Sequence, residues 1–225
     1  MLICDHINED FHHLEVSYLA MFQRLLPGLS FEPYYACNGH LPNTVHDHEA
    51  YLCTGSRHSV YDEAVWIERL SLFVKAIHDQ QKKFVGICFG HQMIAHALGG
   101  RVEKSAGGWC VGVHRFEAVS HEPWMDPVES GHNLLMLCQD QVMELPENSR
   151  VLSTSEHCKT GMFLTGDHML GIQAHPEFSK EYNQAVFTSR KERIGEKKVD
   201  QACESLEIPL HDQVISSWIH NFIQG

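Results

Sequence analysis

Cationic residues are scarce in this chain: 17 lysines and arginines stand against 29 aspartates and glutamates, a formal net charge of −12. So acidic a protein repels a phosphate backbone, which argues against nucleic acid as its main ligand. Long apolar runs are missing as well. None approaches the roughly 20 residues that span a bilayer, so no membrane role is read. The opening residues, MLICDHINED, carry neither a basic stretch nor a long apolar one. No secretory leader is therefore read there, and a cytoplasmic location is expected.

Cysteines at C-x-x-C spacing are also absent. The eight cysteines stand singly at 4, 37, 53, 88, 110, 138, 158 and 203, so the spacing encodes no disulfide or zinc framework. Most of them read as small buried apolar side chains in a reducing compartment. The 18 histidines cluster most densely at His12-His13 and His46-Asp47-His48. Neither cluster has zinc-ligand spacing, and no metal is assigned.

What is present is an alternation of strand-like and helix-like segments. Met1–Asp5 reads as a first strand, followed by Leu14, Tyr18, Met21, Phe22 and Leu25 at helical spacing up to Pro27-Gly28. Phe31–Cys37 and Ala50–Thr54 read as further strands. A helix over Glu63–Gln80 presents Trp66, Leu70, Phe73, Val74 and Ile77 to the core. Phe84–Ile87 is a fourth strand and Gly90–Leu98 the helix after it, stopped by Gly99-Gly100. From Arg101 to Gln173 the runs become short and β-like, among them Val111–Val119, Leu134–Leu137, Met162–Leu164 and Met169–Ala174. A polar helix and a last amphipathic helix with Ile215, Trp218, Ile219 and Phe222 complete the pattern. The expected fold is α/β, a three-layer sandwich around a mostly parallel sheet, as one domain over residues 1–225.

The strongest local signal is Gly86-Ile87-Cys88-Phe89-Gly90, the thiol counterpart of the G-x-S-x-G nucleophile elbow. A sharp strand-to-helix turn strains its middle residue, and glycines on both flanks remove the side chains that would clash. The sulfur is then exposed at a helix N-terminus, whose partial positive charge favours thiolate. The Phe89 amide points to where an oxyanion would form. A base is offered by His175-Pro176-Glu177. Proline favours an extended His175, and residues two apart on an extended segment share a side, so Glu177 can orient the imidazole.

This elbow with a distant His-Pro-Glu resembles the class I, triad-type glutamine amidotransferases, over nearly the whole chain. The resemblance implies a flavodoxin-like fold and a Cys88, His175, Glu177 triad needing no cofactor. It also implies an oxyanion hole from the Gly55 and Phe89 amides, and substrate contacts from Gln92, Gln139 and Asp140. Gln139-Asp140-Gln141-Val142 resembles the family's Ser-His-Gln-Asp-x-Val segment, with Leu137-Cys138 in place of Ser-His. The implied reaction is acyl transfer at the γ-glutamyl carbonyl of a small molecule, either glutamine or a γ-glutamyl amide. No Ser-Gly-Gly-x-Asp-Ser loop or Walker sequence is present for a synthetase domain. The chain is most similar to the stand-alone branch, which includes γ-glutamyl peptidases and GMP synthase-like amidotransferases. A γ-glutamyl hydrolase is the expected function. The alternatives are a glutaminase subunit serving a separate synthase and a non-catalytic binding module.

Overall fold

The computed structural model describes residues 1–225. In chain order the strands are β1 (Leu2–Ile3), β2 (Tyr34–Tyr35), β3 (Ala50–Cys53), β4 (Lys83–Ile87), β5 (Arg101–Lys104), β6 (Cys110–Ala118), β7 (Gly131–Cys138), β8 (Asp140–Glu144), β9 (Ser149–Thr154), β10 (Met162–Thr165) and β11 (Met169–Ile172). The helices are α1 (Tyr18–Leu25), α2 (Val65–Asp79), α3 (Phe89–Ala97), α4 (Lys180–Ser189), α5 (Lys191–Ile194), α6 (Glu196–Ser205) and α7 (Asp212–Gln224).

Nine strands form one sheet in the order β2-β1-β3-β4-β11-β10-β9-β6-β7. The first five are parallel to one another, in the flavodoxin-like order. From β11 onward each pairing is antiparallel. The expected parallel sheet is thus the half that carries the elbow, and the short β-like runs build an antiparallel extension. A separate ribbon pairs β5 with β8.

Side-chain alternation explains the layers, because successive strand residues face opposite sides of the sheet. Leu2, Tyr51, Cys53, Phe84 and Met169 join the α2 and α3 side chains Leu70, Val74, Ile77, Phe89 and Met93. Ile3, Leu52, Val85, Ile87, Leu170 and Ile172 face the other way. There they meet Phe22 of α1, Val186 of α4, Val199 of α6, and Ile215, Trp218 and Phe222 of α7. Burying each of these large apolar side chains contributes about 2 kcal/mol.

Local chemistry sets the element ends. The Ser17 hydroxyl accepts from the Ala20 amide and starts α1 there, so Leu14 lies before the helix. The expected strand Phe31–Cys37 shrinks to Tyr34–Tyr35. Pro33 has no N–H to pair, and a 3₁₀ turn over Ala36–Asn38 closes at Gly39 with φ +82°. Trp66 and Phe73, expected in the core, are only half-buried. They lie at its edge, Trp66 against Phe89 and Phe73 against Tyr51. The single polar helix expected after Glu177 is divided into α4, α5 and α6, with Gly195 at φ +96° turning α5 into α6.

Candidate active site

Three neighbouring parallel strands deliver their C-terminal ends to one edge of the sheet. Ile87 of β4 is in register with Ile172 of β11, and Gly86 with Cys53 of β3. The residues that follow these strands therefore emerge together: Cys88 after β4, His175 after β11, and Thr54-Gly55 after β3. This is the edge at which open α/β sheets bind ligands.

Cys88 has φ +50° and ψ −96°, one of three non-glycine residues with positive φ. Such strain costs about 1–3 kcal/mol and persists only where the surroundings enforce it. Here they do. The Cys88 amide donates to the Ile172 carbonyl (2.8 Å), and the Cys88 carbonyl accepts from the Gln92 amide (3.0 Å). A Cβ on Gly86 would overlap the Gly90 carbonyl and stand 2.7 Å from the His91 amide; one on Gly90 would stand 2.5 Å from the Cys53 carbonyl. Only two glycines allow α3 to start this close to the sheet.

His175 is buried, and its Nδ1 is 2.8 Å from the Glu177 carboxylate, as expected from their i, i+2 spacing. Its amide donates to the Leu135 carbonyl of β7 at 2.8 Å, fixing the segment after β11. Burial pulls the imidazole pKa down. The Glu177 carboxylate and the Cys88 sulfur outweigh that and push it up to about 10. The second Glu177 oxygen is buried with no hydrogen-bond partner, so the carboxylate relies on His175 for compensation.

A Cβ on Gly55 would stand 2.8 Å from His175 Cε1 and 3.7 Å from Cys88 Cβ. The loop after β3 is thus pressed against both residues, and no backbone carbonyl accepts from the Gly55 amide. Phe89, at the first turn of α3, is fully buried with its ring turned away toward Trp66. Gln92, Gln139 and Asp140 line the same cavity as Cys88, about 240 Å³ in volume. Gln92 donates to the Asp140 carbonyl (2.8 Å) and to Gln173 Oε1 (3.2 Å), while Asp140 Oδ2 accepts from the Ser59 hydroxyl at 2.5 Å. Leu137 and Cys138, at the end of β7, pair with Val111 and Cys110 of β6.

Other wall residues carry no motif. Phe178 stacks on His175, and Trp109, Arg190 and Arg193 border the cavity. The Arg-x-x-Arg spacing of Arg190 and Arg193, one helical turn apart, was the only trace of them in the sequence. His91, three residues after Cys88, points away from the cleft. It fills the notch over Gly171, and burial lowers its pKa to about 3. No three His, Cys, Asp or Glu side chains gather as metal ligands.

Comparison with known proteins fits this geometry. The sequence model described as "Glutamine amidotransferase class-I" matches residues 55–191. The chain belongs to the class-I glutamine amidotransferase family. By that membership it is an amide hydrolase. This amidotransferase-family chain is 28% identical to gamma-glutamyl peptidase 3 of Arabidopsis thaliana, over 88% of its own length and 84% of that protein. It is 30% identical to the glutamine-hydrolyzing GMP synthase of Clostridium novyi, over 57% of its own length and 24% of the synthase. A glutamine amidotransferase from Thermotoga maritima shares the fold, with a TM-score of 0.75 and 19% identity over 99% of this chain and 95% of that one. No helix is long and apolar enough to cross a membrane.

Proposed function

We propose that this protein hydrolyses the γ-amide bond of a γ-glutamyl compound through a Cys88, His175, Glu177 triad. The observation that carries the reading is the buried imidazole of His175. It is held by Glu177 at 2.8 Å and flanked, with Cys88, by the same glycine of the loop after β3. In this reading the Cys88 thiolate attacks the γ-carbonyl, and the oxyanion is met by the Gly55 and Phe89 amides. The His175 imidazolium gives its proton to the departing amine as the C–N bond breaks, leaving a thioester. His175 then takes a proton from water, the thioester is hydrolysed, and glutamate leaves. Glu177 holds the tautomer and stabilises the imidazolium without carrying the proton itself. Gln92, Gln139 and Asp140, in the wall beside the sulfur, are suited to the glutamyl end of the substrate.

The test is an assay of purified protein with glutamine and a panel of γ-glutamyl peptides, measuring released glutamate and amine. Turnover without any partner is expected. A second reading is a glutaminase subunit that passes ammonia to a separate synthase, and the likeness to part of a GMP synthase favours it. It requires silence across the whole panel and glutaminase activity only after a synthase is added.

A further inference from the structure

Two cavities meet at the candidate site. The one holding Cys88 is about 240 Å³; the other, about 380 Å³, has His175, Phe178, Tyr18 and Tyr182 in its wall. Ser56, Arg57, Trp109, Leu137, Arg190 and Arg193 border both. The sulfur thus faces one chamber and the imidazole the other. In acyl transfer the histidine protonates the departing amine, so the leaving group occupies the His175 side. Ammonia is about the size of a water, which takes roughly 30 Å³ of liquid. The second chamber is more than ten times larger than that.

The charges in that chamber are unevenly matched. Arg57 is committed: its Nε donates to Asp5 at 2.9 Å and its Nη2 to the His6 carbonyl at 2.8 Å. Arg190 and Arg193 have no carboxylate partner. Their guanidinium carbons lie 5.8 and 5.6 Å from the centre of the Trp109 ring. Burial lowers the Arg190 pKa, and the neighbouring Arg193 charge adds to that. Two like charges held together at a site, in a chain with 29 acidic residues available to pair with them, form a ready binding place for an anion. The guanidinium fork matches a carboxylate in two-point geometry, and an aromatic face keeps the fork ordered while empty.

We propose that Arg190 and Arg193, backed by Trp109, bind a carboxylate on the leaving amine. The preferred substrate is then a γ-glutamyl amino acid or short γ-glutamyl peptide with a free C-terminal carboxylate, in preference to glutamine. This rests on the hydrolase reading above. The overall step is hydrolysis alone: water adds across the γ-amide, the C–N bond breaks, and glutamate and a free amino acid or peptide are released.

The test uses the purified full chain and matched substrates: γ-glutamylalanine with γ-glutamylalaninamide, and γ-Glu-Ala-Gly with its C-terminal amide. Wild type, Arg190→Ala, Arg193→Ala and Arg193→Lys are compared by kcat/KM, with circular dichroism as the check of folding. Wild type should favour the carboxylate member of at least one pair by about tenfold or more. That preference should collapse toward one in the alanine variants and return in part with Arg193→Lys. Should Arg190→Ala fail to fold, the exposed Arg193 carries the comparison. Equal wild-type rates within both pairs would overturn the proposal. So would an equal loss on both members of a pair in the variants, which would put the arginines at the shared glutamyl end. Absence of released glutamate from all four compounds and from glutamine would instead remove the hydrolase reading, and this proposal with it.

Discussion

Phe178 lies flat on the imidazole of His175, with ring centroids 4.1 Å apart and planes 8° from parallel. Tyr182 holds Phe178 edge-on at 4.9 Å. Glu177 fixes His175 from within the ring plane, and Phe178 fixes it from above. Phe178→Ala should therefore lower kcat by about 10- to 100-fold with little change in KM, since a small misplacement of a reacting group costs that much. Phe178→Leu should fall between. Steady-state kinetics would show a mere packing role if kcat held and only thermal stability fell.

The raised pKa of His175 fixes a pH dependence. In the proposed mechanism the amine leaves with a proton from the imidazolium, so kcat/KM should fall on the alkaline side near pH 10, where His175 loses that proton. Glu177→Gln removes the carboxylate that raises the value, and the alkaline limb should move down by more than about one pH unit. Its rate should still exceed that of His175→Ala, because in the proposed roles the carboxylate only holds and stabilises the ring. A limb unmoved by Glu177→Gln would refute the assigned role. The same shift links to folding. The ion pair stabilises the protein fully below the ordinary imidazole value of 6.5, and that contribution fades as pH rises toward 10.

Cys88→Ala and Cys88→Gly should both abolish hydrolysis, and a glutamine-like chloroketone should label Cys88 in the native chain. The two variants should differ in stability. At φ +50° glycine is relaxed where alanine is not, so urea denaturation should find Cys88→Gly more stable by about 1 kcal/mol. Turnover in either variant would disprove the nucleophile.

Gly55→Ala and Gly86→Ala should fail differently. A methyl on Gly55 would crowd His175 Cε1, so turnover should drop by about a hundredfold with the fold retained. A methyl on Gly86 would meet the backbone of Gly90, which cannot yield as a side-chain tip can, and overpacking there should cost about 1–3 kcal/mol. Parallel kinetics and denaturation curves would separate the two effects.

The β4-elbow-α3 unit was legible because its constraints are local: an apolar run, two glycines that steric contact requires, and a helix after them. His175-Pro176-Glu177 was legible for the same reason, since its hydrogen bond spans two residues. The outer strands were legible in place but not in length. Met1–Asp5 and Phe31–Cys37 hold β1 and β2, each only two residues long, whereas β5 and β8 exist by pairing with each other across about forty residues of chain. Trp109, Arg190 and Arg193 form no local pattern because they meet only through the folding of α5 against the loop before β6. A cavity wall assembled from segments some 80 residues apart leaves no pattern in any window of sequence.

The Cys53 carbonyl against which Gly90 is pressed belongs to the strand that runs directly into Thr54-Gly55. The turn carrying the sulfur and the loop facing it therefore rest on one fulcrum, where helix backbone meets strand backbone. Neither can be tilted or lowered without carrying the other along. Natural variation that retunes this protein for a new substrate is free to act on the α4–α6 segment and the loop before β6, where the walls are side chains. At the fulcrum, drift is limited to changes that leave both backbones where they are.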